Sequence, residues 1–126
     1  MENLAMNAIL KMLIVSSVLA LAACQSSSTP SPLLSAEPGV DASLTRAPRT
    51  LRLFYSALPD VSKSNLRLVG PSGELALRGL HTMAADDLMI EILDEVTPGS
   101  YTVYWTTAVG DDPAVREGSY QFSYAP

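Results

Sequence analysis

Pro98-Gly99-Ser100-Tyr101-Thr102-Val103-Tyr104-Trp105 is the stretch on which the reading of this chain turns. Pro-Gly marks a turn. From Tyr101 the residues alternate with the period of a strand: Tyr101, Val103 and Trp105 point one way, Thr102, Tyr104 and Thr106 the other. Trp105 is the only tryptophan. An indole buries more area than any other side chain, so the face that carries it is expected to be core. A tyrosine two residues after a glycine turn, at the opening of a strand, also matches the tyrosine corner of Greek-key sandwiches.

The same alternation recurs on both sides of this strand. Upstream, the chain is strand-like from Leu33. Thr50 to Tyr55 puts Leu51, Leu53 and Tyr55 on one face, and Asn65 to Val69 alternates before the turn Gly70-Pro71-Ser72-Gly73. Glu74 to Arg78 reads as the returning strand, Gly79 to Asp87 as a polar excursion, and Leu88 to Leu93 as a strand with Leu88, Ile90 and Ile92 inward. Downstream, Ala108 to Gly118 is a loop with Gly110-Asp111-Asp112-Pro113 at its tip, and Ser119 to Tyr124 closes with three aromatics on one face. About seven short strands, punctuated by turns and without a helical period, predict an all-β antiparallel sandwich.

The first part of the chain is not domain. Lys11 precedes an apolar run that ends in small residues, too short for a comfortable membrane span, so residues 1–23 read as a signal peptide. The only cysteine, Cys24, closes Leu21-Ala22-Ala23-Cys24, which resembles the lipobox of bacterial lipoproteins. The resemblance implies a lipid anchor on Cys24 after cleavage. Residues 24–32, rich in Ser and Pro, then serve as a tether, and the domain spans 33–126. One cysteine forms no disulfide within the chain. Loss of residues 1–23 removes Glu2 and Lys11, leaving seven basic against twelve acidic residues, still a net charge of −5. An acidic domain without a basic run is a poor partner for nucleic acid.

Four segments carry a family resemblance. They are Leu33-Leu34-Ser35-Ala36-Glu37-Pro38; Ala42-Ser43-Leu44 and Ala47-Pro48 with Leu51-Arg52-Leu53-Phe54-Tyr55-Ser56; the Pro98–Trp105 stretch; and Gly118-Ser119-Tyr120-Gln121-Phe122. Together they resemble the CopC family of small periplasmic copper-resistance domains. The resemblance implies an immunoglobulin-like Greek-key β-sandwich and copper as the ion handled. It also implies a Cu(II) site built from an N-terminal histidine and an Asp-x-His pair in the loop after the tryptophan. Imidazole and carboxylate suit Cu(II). In this chain Asp111 falls on the family's aspartate, but Pro30 and Pro113 stand where the histidines would be. A degraded Cu(II) site is therefore expected.

The family's second site is rich in methionine, and thioethers are soft ligands suited to Cu(I). The equivalent region here offers His81 and Met83, two apart in an expected loop, with Met89 on the outer side of the next strand. The candidate metal ligands are thus Asp111, His81 and Met83. The pairs Asp86-Asp87 and Asp111-Asp112 lack the spacing of a calcium loop and are expected to be solvated turn residues, or for Asp87 the start of a strand edge. One histidine and one acylated cysteine provide no nucleophile–base pair, and no Gly-rich phosphate loop occurs, so no enzyme is expected. Two readings remain open. One is a copper-handling lipoprotein of the bacterial envelope, facing the periplasm. The other is a metal-free module that uses the same sandwich to dock an envelope protein.

Overall fold

The computed structural model describes residues 30–83 and 85–126. The expected signal peptide, Cys24 and most of the expected tether lie outside the described residues. Among the described residues nine strands form two sheets: β1 (Leu33–Glu37), β2 (Ser43–Leu44), β3 (Thr50–Tyr55), β4 (Asn65–Gly70), β5 (Gly73–Leu75), β6 (Leu77–His81), β7 (Asp87–Ile92), β8 (Gly99–Thr107) and β9 (Arg116–Tyr124). A four-stranded sheet runs β1-β3-β7-β6 and faces a five-stranded sheet in the order β2-β9-β8-β4-β5. Every pairing is antiparallel except the two-residue contact of β2 with β9. Among the described residues the only helical turn is a 3-10 turn at Val61–Lys63, and no helix is long and apolar enough to cross a membrane.

The expected sandwich is observed, and so is its core. Leu51, Leu53 and Tyr55 of β3 and Leu88, Ile90 and Ile92 of β7 meet the inward residues of β4, β8 and β9. Tyr101, Val103 and Trp105 are 1%, 0% and 3% exposed. Among the described residues, those of the core lie between Leu33 and Tyr124. The tyrosine corner is also present: the Tyr101 hydroxyl donates to the Thr97 carbonyl at 2.5 Å. Its ring stacks on Phe122 with centroids 5.3 Å apart. Gly70 is required beside it, because a Cβ there would stand 2.4 Å from the Tyr101 ring.

The strand count departs from the expected seven for two local reasons. The pair β2–β9 adds a strand of two residues. The expected strand Glu74–Arg78 is divided at Ala76, where the chain leaves the five-stranded sheet for the four-stranded one. Ala76 is pinned at this crossing. Its N–H donates to the Asp94 carboxylate at 2.7 Å, and its carbonyl accepts from the Leu93 N–H at 2.9 Å. The expected polar excursion is also shorter than its sequence suggests. Its first three residues, Gly79 to His81, belong to β6, whose register slips between Arg78 and His81. Gly79 there has φ of +77°, open to glycine at little cost.

Candidate functional site

The four-stranded sheet turns one face to the core and the other to solvent. On that outer face, Arg52 of β3, Met89 of β7 and His81 of β6 stand in one row across the ladder, paired Arg52 with Met89 and Met89 with His81. Met83 follows two residues beyond His81. A cleft of about 600 Å³ opens here, and its lining includes His81, Met83, Met89, Arg49 and Arg78. Beyond residue 24 the chain contains no cysteine, one histidine and two methionines. The fold brings that histidine and both methionines to this one cleft.

The contact within it is specific. His81 Nδ1 lies 2.5 Å from the Gly79 carbonyl oxygen. A carbonyl only accepts, so Nδ1 carries the proton. In the neutral imidazole Nε2 then presents a lone pair, and it faces the Met83 sulfur at 3.1 Å. A thioether has no proton to give, so two electron-rich atoms are held against each other, an arrangement suited to a cation between them. The carbonyl contact also fixes the ring tautomer, the usual service of a backbone acceptor behind a metal-binding histidine. His81 and Met83 are both exposed, Met83 by 47%, so an ion can reach the pair directly from solvent.

The backbone beneath this pair is held by Asp87. This aspartate was expected in a solvated turn, but its side chain is 0% exposed. It opens β7 and is inward of Asp86, whose carbonyl accepts from the Tyr55 N–H at 2.7 Å. Asp87 Oδ1 accepts from the Met83 N–H at 2.8 Å, and Oδ2 accepts from Arg52 Nε at 2.7 Å. Burial pushes the carboxyl up, but the Met83 amide and the Arg52 guanidinium outweigh it and hold its pKa below the ordinary value. The Arg52 guanidinium also lies 4.7 Å from the centroid of the Phe54 ring. No local pattern marks Asp87 as buried; only the crossing of β3 beside β7 supplies its partner.

Asp111 is elsewhere. It sits exposed at the tip between β8 and β9, where Gly110 N–H donates to the Leu58 carbonyl at 2.9 Å. The N-terminal end of the domain is nearby, since Ser56 N–H donates to the Pro32 carbonyl at 2.9 Å. The fold thus brings the segments of Pro30 and Asp111 to one end of the sandwich. Neighbouring Asp112 is engaged locally: it accepts from the Ala114 N–H at 2.9 Å and lies 3.5 Å from Arg116. These contacts hold its carboxyl below the ordinary range. Among the described residues no three His, Cys, Asp or Glu side chains come together as ligands for a metal ion. Asp111 is not among the residues that line the cleft of His81 and Met83, which belongs to the other sheet.

Comparison with known proteins agrees with this architecture. Residues 33–125 match the family model described as the CopC domain. The chain is 29% identical over 93 residues to protein YobA of Escherichia coli K12, covering 68% of this chain and 71% of that protein, and equally so to YobA of Shigella flexneri. Among solved structures, CopC from Methylosinus trichosporium OB3b superposes with a TM-score of 0.66 at 23% identity, covering 75% of this chain and 92% of the other. PcoC, a copper resistance protein from Escherichia coli, superposes with a TM-score of 0.66 at 22% identity, covering 74% and 98%. The match spans both sheets and the whole core, and this chain belongs to the CopC domain family.

Proposed function

We propose that this protein is a copper-handling lipoprotein of the bacterial envelope that binds Cu(I) through His81, Met83 and Met89. The observation that carries the reading is His81 Nε2 facing the Met83 sulfur at 3.1 Å, with Met89 across the ladder from His81. One imidazole and two thioethers form a soft to borderline donor set. Such a set suits Cu(I) better than Cu(II), which prefers nitrogen and oxygen in a tetragonal array. The copper-resistance relatives support copper as the cargo. The chemistry required is capture and release, not turnover. His81 supplies the fixed nitrogen, while each flexible methionine closes on the ion from its own side.

The test is a competition titration of residues 25–126 with Cu(I), and calorimetry with Cu(II). One Cu(I) per chain is expected, with at least a tenfold to hundredfold loss on joint replacement His81→Ala and Met83→Leu, since loss of ligands costs no less than loss of their outer-shell supports. Cu(II) is expected to bind weakly, because Asp111 offers a single carboxylate and Pro30 and Pro113 offer no donor side chains. Tight Cu(II) binding that survives the double replacement would overturn this reading. Absence of both ions would favour the metal-free docking module.

The envelope location rests on Cys24. Acylation there would tie the domain to a membrane, each buried CH₂ contributing about 0.8 kcal/mol, with Gln25 to Pro32 as spacer. Replacing Cys24 with Ser is expected to leave the protein uncleaved or released from the membrane. A variant that is still cleaved and still sediments with membranes would rule the anchor out.

A further inference from the structure

We propose that Asp87 is the positioning residue of the copper cleft and that Arg52 holds it in place, so that one ion pair sets the Met83 thioether of the site. This rests on the Cu(I) reading above. Asp87 contacts neither sulfur nor imidazole. It acts through the backbone of Met83, whose N–H it accepts at 2.8 Å.

A methionine side chain has three rotatable bonds and fills space adaptably. Its sulfur meets His81 at 3.1 Å in one arrangement only if its own Cα is fixed. Met83 lies beyond the end of β6, where the ladder no longer fixes it. The Asp87 carboxylate replaces the missing ladder partner. Because it is wholly buried, it needs a cation, and Arg52 supplies one at 2.7 Å. Arg52 is also the β3 residue directly across from Met89. Its guanidinium reaches instead toward Asp87 and the Phe54 ring. A leucine or valine at position 87 would satisfy packing alone. A carboxylate that accepts from an arginine on one oxygen and from the Met83 amide on the other fits a positioning role.

The chemistry of asparagine makes the test sharp. Asp87→Asn keeps the shape but has one acceptor oxygen where two donors converge, so either the Met83 amide or Arg52 loses its partner. The experiment uses residues 25–126 with ¹³C-methyl-labelled methionine. The first readout is the nuclear Overhauser effect between the Met83 methyl and the His81 ring protons in the metal-free protein. The second is the Cu(I) affinity by competition. In the wild type the Overhauser contact is expected. In Asp87→Asn it should weaken or vanish, with a tenfold to hundredfold loss of Cu(I) affinity, while amide spectra still show a folded sandwich. Arg52→Lys keeps a cation within reach and should restore both readouts; Arg52→Gln should not.

Asp94→Asn serves as the control. It disturbs a carboxylate bonded to a backbone amide at the sheet crossing, and it should leave the Met83–His81 contact intact. Should Asp87→Asn not fold, Arg52→Gln against Arg52→Lys carries the same comparison, because Arg52 is 31% exposed. Persistence of the Overhauser contact in folded Asp87→Asn or Arg52→Gln, with unchanged affinity, would overturn the proposal. A wild type that shows the contact but takes up no Cu(I) would remove the copper reading alone; the metal-free readout would still decide whether Asp87 positions Met83.

Discussion

Trp105→Ala is expected to lower the stability of the domain by about 3–5 kcal/mol, the cost of emptying a large aromatic from a core. The indole is 3% exposed and meets the Tyr55 ring edge-on with centroids 5.5 Å apart. It also lies against Gly118, where a Cβ would stand 2.5 Å from the indole ring, so glycine shapes its slot. A loss of that size is a large share of the stability of a small domain. Urea unfolding followed by far-ultraviolet circular dichroism measures it, since the variant has no tryptophan to report. Trp105→Phe should recover more than ring area alone suggests. Trp105 Nε1 is buried with no hydrogen-bond partner among the described residues, and removing an unpaired donor recovers its desolvation cost. In the wild type, emission should be blue-shifted and poorly quenched by iodide. A water-like emission maximum would sink the packing described here.

Arg52→Met is expected to cost about 2–3 kcal/mol near neutral pH. That lies below the usual loss on breaking a fully buried pair, because Arg52 is partly exposed and water can reach the gap. Its pH dependence is the more telling part. In the wild type the folded Asp87 carboxyl is held below its ordinary value: burial raises it, and the Met83 amide and Arg52 more than offset that. Such a group contributes stability that is present above the unfolded value of about 3.9 and is lost as pH falls through the folded value. Without Arg52 the burial effect is less opposed, so the folded value rises and the unpaired carboxylate is a penalty that protonation relieves. The stability gap between wild type and variant should therefore narrow on acidification. Unfolding curves near neutral pH and near about pH 4.5 measure this. A gap of constant size would show that Asp87 and Arg52 do not interact through charge.

The candidate cleft and the sandwich core differ in how far they can be read along the chain. The core is written in local alternation. Leu51, Leu53 and Tyr55, or Tyr101, Val103 and Trp105, each declare an inward face within a few residues. Tyr101 even announces its corner through the Pro98-Gly99 turn before it. The division of Glu74–Arg78 at Ala76 is not legible in this way. A strand that passes from one sheet to the other keeps its alternation, so Leu75 and Leu77 look like one continuous strand.

The candidate ligands show the same contrast. Donor type together with the family resemblance marked His81 and Met83 as a soft to borderline pair, and the resemblance alone marked Asp111 as the survivor of a harder set. Their placement did not follow. His81 meets Met83 because the Gly79 carbonyl turns the ring and Asp87 holds the Met83 backbone. Met89 joins them because β6 pairs with β7 in one particular register. Asp87 itself looked like a solvated acid next to Asp86, and only the side-by-side packing of β3 and β7 buries it and gives it Arg52. The strands, their inward faces and the turns are legible along the chain, because a strand's period and a turn's backbone demands act over neighbouring residues. Which donors share a cleft and which carboxylate is buried emerge on folding, because those contacts depend on register between strands far apart in the chain.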